Sequence, residues 1–338
     1  MTTLITGGGG FVGINLAEIL IAQGEQVVLF DRHGLPAPAL QALQRGNIPP
    51  SIVTGDVRDA GMLAAVFKDF GIERVVHAAV ITSDSARESR HPEDIIDINV
   101  QGTVNLLAAA RAARCRRIVC ISSGAAYGTT LYETAPVREE VSPSRPESLY
   151  GITKFAAEQI ALRLASLWEL DVICVRLGSV FGPWELDTGA RDRLSPHFQL
   201  AQLALRGEAA LLPSKEVRRD WVYSRDVASG LAALLQAPRP GHSSYHLSSG
   251  VAWEGAIADW CGKLRNAYPR FSWRMAAKNE RPNVNYHADR DRASMDITRI
   301  AHDIGFTPRF GPHQAHADYS DWIRSNEAFM LGASTTPQ

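Results

Sequence analysis

The stretch Thr6-Gly7-Gly8-Gly9-Gly10-Phe11-Val12-Gly13 decides the fold. It follows an apolar run, Thr3-Leu4-Ile5, and opens a segment where Val12, Leu16, Ile19 and Leu20 recur at helical spacing. Gly8, Gly10 and Gly13 satisfy G-x-G-x-x-G, and Gly7, Gly10 and Gly13 lie three apart. Strand, glycine turn and helix in that order give the motif its meaning. A loop without Cβ atoms bends tightly and lets a pyrophosphate reach the backbone, while the helix N-terminus offers unpaired N–H groups and a partial positive charge. Phe11 and Val12 open the helix beside that group.

Working outward, Val27-Val28-Leu29-Phe30 reads as a buried strand with Asp31 at its carboxyl end. An acidic side chain there accepts both hydroxyls of an adenosine ribose and repels a 2′-phosphate, which favours NAD over NADP. Arg32 next door weakens that preference, and a turn-capping role is the alternative for Asp31. Apolar strands are expected at 2–6, 26–31, 51–54, 73–77, 117–122 and 171–176, with helices at 11–23, 60–69, 93–114 and 149–168 between them. This alternation predicts an α/β chain: a Rossmann-type doubly wound parallel sheet with ligands at the strands' carboxyl ends. Gly55-Asp56-Val57, His77-Ala78-Ala79-Val80, Ser122-Ser123 and Leu177-Gly178-Ser179 all follow such strands, so the topology gathers them around one site.

After about residue 178 the alternation fails. Short strands are expected at Ser244–Leu247 and at 286–288, with helices near 197–206, 225–236, 253–267 and 312–324. Residues 1–177, rejoined by about 221–240, are assigned to the NAD-binding domain. Residues 178–220 and 241–325 form a smaller, intertwined C-terminal substrate lobe, and the tail 326–338 is expected to be disordered.

The 338 residues are 45% hydrophobic and 21% charged with a formal net charge of −1, the composition of a soluble globular protein. The basic cluster Arg114–Arg117 precedes a strand and suits a solvated helix end better than a nucleic-acid patch. No apolar run approaches the ~20 residues of a membrane span, and the glycine motif begins too close to Met1 for a signal peptide. Four cysteines without a CxxC pair point to reduced thiols in the cytoplasm. His242-x₃-His246 and His313-x₂-His316 lack further ligands at metal spacing, so no metal is expected.

Tyr150 and Lys154 lie one turn apart on a predicted helix. A phenol with a reference pKa of ~10 is a poor base at neutral pH. An adjacent ammonium and an oxidised nicotinamide would stabilise its phenolate. Such a tyrosine can take the proton of a secondary alcohol while hydride leaves for the nicotinamide. Ser123 can hydrogen-bond the same oxygen as it becomes a carbonyl.

With these residues in hand, the chain resembles an extended short-chain dehydrogenase/reductase of the NAD-dependent epimerase/dehydratase family, nucleotide-sugar 4-epimerases included, from residue 1 to about 310. The likeness is carried by Thr6–Gly13, Asp56-Val57, His77-Ala78-Ala79-Val80, Asn99-Val100-Gln101-Gly102-Thr103, Ser122-Ser123-Gly124-Ala125-Ala126-Tyr127-Gly128 and Tyr150-Gly151-Ile152-Thr153-Lys154. It implies catalysis by Ser123, Tyr150 and Lys154. It also implies an NAD site that adds Asp56, Val57, Ala78, Ala79, Val80, Asn99, Ser122 and Gly178 to the residues above, and a homodimer formed through the helices at 93–114 and 149–168.

The departures speak to the substrate. Gly124-Ala125 occupy the positions of the acid pair that dehydratases use, which argues against dehydration. Ser179 replaces an Asn that often contacts the sugar. Arg219-Asp220-Trp221 fits a diphosphate-binding element, whereas Arg281-Pro282-Asn283-Val284 is an altered form of the second such element. Arg191 and Arg219 are expected to hold an anionic group on the substrate, with an ion pair to Asp187 or Asp192 the alternative for Arg191. The implied activity is oxidation of a secondary alcohol on a sugar-like, anionic substrate, with epimerisation as the outcome. A dehydrogenase of a small sugar acid, polyol or other alcohol, a steroid alcohol included, and a non-catalytic NAD(H) sensor are the alternatives.

Overall fold

The computed structural model describes residues 1–133, 135–287 and 290–332. In chain order the first half runs β1 (Thr2–Thr6), α1 (Phe11–Ala22), β2 (Gln26–Asp31), α2 (Ala37–Gln44), β3 (Ser51–Thr54), α3 (Ala60–Phe70) and β4 (Arg74–His77). It continues with α4 (Ser85–Arg90), α5 (Pro92–Ile96), a π-turn at Asp97–Gln101, α6 (Gly102–Ala112), β5 (Arg117–Ser123), α7 (Leu149–Trp168) and β6 (Val172–Leu177). Then come β7 (Ser179–Phe181), α8 (Pro196–Arg206), β8 (Ala209–Leu212), β9 (Trp221–Tyr223), α9 (Ser224–Gln236) and β10 (Ser244–Leu247). The chain closes with α10 (Ala256–Ala267), β11 (Ser272–Met275), α11 (Thr298–Ile304), α12 (Pro312–Ser325) and α13 (Glu327–Gly332).

Seven strands form one parallel sheet in the order β10-β6-β5-β4-β1-β2-β3. The central strands are apolar on both faces because helices cover both, whereas the edge strand β3 is largely exposed, and the period of two sorts the residues. Leu4, Val28, Val75 and Ile118 pack toward α3, α6 and α7 with Leu63, Leu106 and Ala161. Their neighbours Ile5, Leu29, Val76 and Val119 pack toward α1 and α9 with Leu16, Val227 and Leu231. The strand order reverses between β1 and β4, which opens the crevice above their carboxyl ends.

The returning segment expected at about 221–240 supplies α9 against α1, and β10, from the stretch assigned to the substrate lobe, forms the sheet edge, while a second core gathers around Phe181, Phe198, Trp221, Trp260 and Tyr319. There the indole of Trp260 stacks on the Tyr319 ring at 5.4 Å between centroids. Two small parallel pairs, β8–β11 and β7–β9, complete this lobe. The β8–β11 pair escaped the sequence reading because its members are short and polar-flanked. The strand expected at 286–288 is not formed at Tyr286 or His287, and Ala288 lies outside the described residues. There Asn285 caps the turn by accepting from the His287 N–H at 2.7 Å. The tail departs from expectation at 327–332, and 333–338 lie outside the described residues. Residues Glu327–Gly332 are helical because Met330 is buried and Phe329 packs edge-on against Trp184 and Trp322.

Candidate active site

Two cavities meet above the carboxyl ends of the strands. The first, about 410 Å³, is lined by the glycine loop, Asp31-Arg32, Asp56-Val57 and Ala78-Ala79-Val80. Gly7 has φ +67°, and a Cβ there would stand 2.7 Å from the Ala79 nitrogen, so only glycine lets the loop sit this close to the β4 exit. The Gly10 end of the loop leads into α1 with no side-chain cap, which leaves the first N–H groups of the helix for a ligand. Asp31 accepts from the Gly9 N–H at 3.0 Å and from the His33 N–H at 3.0 Å, which holds its carboxylate at the mouth. Asp56 is paired with Arg58 at 2.8 Å. The cradle fits a dinucleotide: backbone amides face the diphosphate position, a carboxylate stands at the ribose position, and apolar Val57, Ile98 and Phe30 lie further out.

Asn99 does not line either cavity. The π-turn brings its amide inward, where it accepts from the Ile81 N–H at 2.9 Å and donates to the Ile81 carbonyl and Thr153 hydroxyl. It fixes the β4 exit loop, a use of π-turns common near functional sites. His77 lies under the same loop between Thr6 and Thr103 hydroxyls at 2.7 and 3.0 Å, and burial pushes its imidazole down to about 3, so it is neutral.

The second cavity, about 520 Å³, opens beside the first and is lined by Ser122, Ser123, Tyr150 and Gly178 among others. Ser148 caps α7 by accepting from the Gly151 N–H at 3.1 Å, so Tyr150 sits in the first turn. A Cβ on Gly151 would lie 2.7 Å from the Ala125 carbonyl. Glycine therefore allows the start of α7 to press against the turn after Ser123, bringing Ser123 and Tyr150 to one wall. Ser123 also accepts from the Ala125 N–H at 3.1 Å. Lys154 is buried, and its ammonium donates to the Ile121 carbonyl. Burial pulls it down to about 8 against the opposing influence of Cys120, Cys174 and Glu158. Ser122 donates to Glu158 at 2.6 Å, and Glu158 pairs with the buried Arg176 at 2.7 Å, so a buried polar network runs from Ser122 to Arg176.

The lining of this cavity is also basic. Arg191, Arg193, Arg219 and Arg292 line it together with His287. Arg219 is buried over the Trp221 ring, and its Nε and Nη2 meet no hydrogen-bond partner among the described residues. Burial, then the like charges of Arg292 and Arg193, hold its guanidinium below the ordinary value. A buried cation without a partner is costly unless a ligand supplies the anion. Arg191 pairs at 3.1 Å with the fully buried Glu185, and with neither Asp187 nor Asp192. Asp192 is taken by Arg87 at 2.6 Å. Arg281 is exposed and does not line the cavity, whereas Arg292 does. Sequence reasoning missed Arg193, Arg292, His287 and Glu185. The repeated Arg-x-Arg spacing at 191–193 and 290–292 is the only trace of them in the chain.

The chain matches the family model described as "NAD dependent epimerase/dehydratase family" over residues 3–248. It is 30% identical over 244 residues to UDP-glucuronate 4-epimerase 4 of Arabidopsis thaliana, covering 70% of this chain and about half, 54%, of that protein. It is 34% identical over 347 residues to sterol demethylase protein B of Methylococcus capsulatus, covering 96% of this chain and 98% of that one. The fold matches a UDP-glucose 4-epimerase from Stenotrophomonas maltophila, crystallised with NAD and formylated UDP-arabinopyranose, with a TM-score of 0.81 at 23% identity over 97% of this chain and 99% of that one.

Proposed function

The chain belongs to the NAD-dependent epimerase/dehydratase family, and from that premise we propose that it epimerises an anionic nucleotide-linked sugar by oxidising and re-reducing one secondary alcohol. One observation carries the reading: Ser123 and Tyr150 line the same cavity as Arg193, Arg219 and Arg292. That lining suits a substrate carrying both a reactive hydroxyl and a diphosphate. Tyr150, with Lys154 one turn further along α7, takes the hydroxyl proton, and Ser123 donates a hydrogen bond to the oxygen as it becomes a carbonyl. Bound NAD supplies a reversible hydride acceptor. Tyr150 returns the proton after the ketone has turned within the cavity. Gly7, Gly10, Phe11, Val12 and Gly13 hold the cofactor's diphosphate, and Asp31, beside Arg32, holds its ribose. The protein acts as a cytoplasmic homodimer, a state supported by exposed Ile96, Ile152 and Leu167 on α5 and α7 and by four cysteines that are buried and unpaired.

A second reading is favoured by the likeness to sterol demethylase protein B, which is 34% identical over 96% of the chain, against 30% over 70% of the chain for the plant epimerase. It is net oxidation of a bulky alicyclic alcohol carrying an acid group, with the ketone released. Proton NMR of UDP-glucuronate, UDP-glucose and a 3β-hydroxysteroid acid incubated with enzyme and NAD separates the two. A new sugar epimer without net NADH supports the first. Steroid ketone with stoichiometric NADH supports the second and overturns the first.

A further inference from the structure

Residues 185–195 form a closed loop that lines both cavities, through Leu186, Thr188, Ala190 and Arg191 in the first and Arg191, Arg193 and Leu194 in the second. Its ends are tied by Glu185, which accepts from the Ser195 N–H at 2.8 Å and its hydroxyl at 2.5 Å. Its base is anchored to α1: Asn15 donates to the Pro183 carbonyl at 2.9 Å, and the Trp184 indole donates to Glu18 at 2.9 Å. A loop of this length with its ends joined is a compact unit that moves as one body.

The tip reaches across to the opposite wall. The Thr82 N–H donates to the Ala190 carbonyl at 2.8 Å, and the Asp192 N–H donates to the Thr82 carbonyl at 3.0 Å, forming a short parallel bridge to the β4 exit. Arg87 of α4 clamps the same tip with two hydrogen bonds to Asp192, at 2.6 and 2.7 Å, and a third to the Gly189 carbonyl at 2.6 Å. Burial notwithstanding, the Arg87 guanidinium holds the Asp192 carboxyl below its ordinary value. Leu186, Thr188 and Ala190 form the roof of the dinucleotide cavity.

Arg191 lies at the centre of this roof. It lines both cavities, and its guanidinium carbon stands 5.2 Å from the centre of the Phe11 ring, at the first turn of α1. That turn is where the helix N–H groups face the cofactor's diphosphate. The fully buried Glu185 fixes the guanidinium from behind.

We propose that the 185–195 loop is a cofactor-retention strap, in which Arg191 binds the diphosphate of NAD and the Arg87–Asp192 pair latches the loop shut. The inference rests on the NAD reading above and deepens it. A strap that holds the cofactor through successive turnovers keeps the reducing equivalent inside, which biases the enzyme to epimerise and not to release ketone. Arg191 is therefore a cofactor ligand first, and its place beside the substrate cavity is secondary.

The test is the rate at which bound NADH leaves, followed by its fluorescence after mixing with excess NAD, with no substrate present. Arg191→Met and Arg87→Met should each speed release by roughly ten- to a hundred-fold, the scale of losing a charge-assisted pair. Added salt should speed release from the wild type and have less effect on Arg87→Met. The exchanged pair Arg87→Asp with Asp192→Arg should recover slow release, a rescue that a misfolded variant cannot give. Release within two-fold of wild type in both single variants, each with a wild-type circular dichroism spectrum, overturns the strap but leaves NAD dependence standing. A wild-type protein that binds no NADH overturns both.

Discussion

The two cavities are built from different materials. The dinucleotide crevice is mostly backbone: a glycine turn, a helix N-terminus and strand ends, all set by local sequence and sheet topology. The substrate cavity is mostly side chain, and its arginines come from residues 191–193, 219 and 292, which no local pattern connects. The crevice can hold its ligand with little reorganisation. The cavity stores the cost of crowded, partly unpartnered guanidinium groups until an anion arrives.

Variants that break this contrast differ in size of effect. Tyr150→Phe should lower turnover by about 10²- to 10⁴-fold while NAD affinity, measured by fluorescence titration, changes little. Full activity in this variant would remove Tyr150 from the chemistry. In the wild type, kcat/KM should fall above about pH 8 as the Lys154 ammonium is lost, and a rate that keeps rising to pH 10 would contradict that role.

Two buried histidines are neutral. His77 lies beneath the crevice, and His246 on β10 meets the Tyr127 hydroxyl at 2.6 Å. Burial pushes them down to about 3 and about 4. The unfolded chain takes up these protons near pH 6.5 and the native protein does not. Stability is therefore full above about 6.5 and is lost as pH falls toward 4, by about 3 kcal/mol for His246 alone. Urea unfolding at pH 7 and pH 4.5 checks this, and His246→Gln should show a smaller difference between the two.

Smaller effects separate the cavities further. Arg219→Met should raise KM for a diphosphate substrate by roughly 10- to 100-fold. It should also raise Tm in the absence of substrate, because a buried charge without a partner is removed. Lower Tm would show that Arg219 holds the fold together. Asp31→Ala should weaken NAD by about tenfold and narrow the preference over NADP, and unchanged selectivity would assign ribose recognition to another group.

The same contrast explains what could be read from the sequence. The glycine run, Asp31 and the alternating strands announce the sheet because each signal is local and each strand needs a continuous apolar face. The Tyr150–Lys154 spacing is local in the same way. The arginine cluster is not, since Arg292 becomes a neighbour of Arg219 only after the chain has passed through β10, α10 and β11. Arg281 matched the motif position and yet lies at the surface. The helix at 327–332 was hidden for a related reason: Phe329-Met330-Leu331 looks like a short isolated apolar run until Trp184 and Trp322 stand opposite.

The most direct test of the account is a proton NMR time course of UDP-glucuronate with the enzyme and one equivalent of NAD. Inversion at a single sugar carbon, with 340 nm absorbance returning to baseline, is the predicted result. An unchanged sugar together with unchanged absorbance, across UDP-glucose and free sugar acids as well, would contradict it.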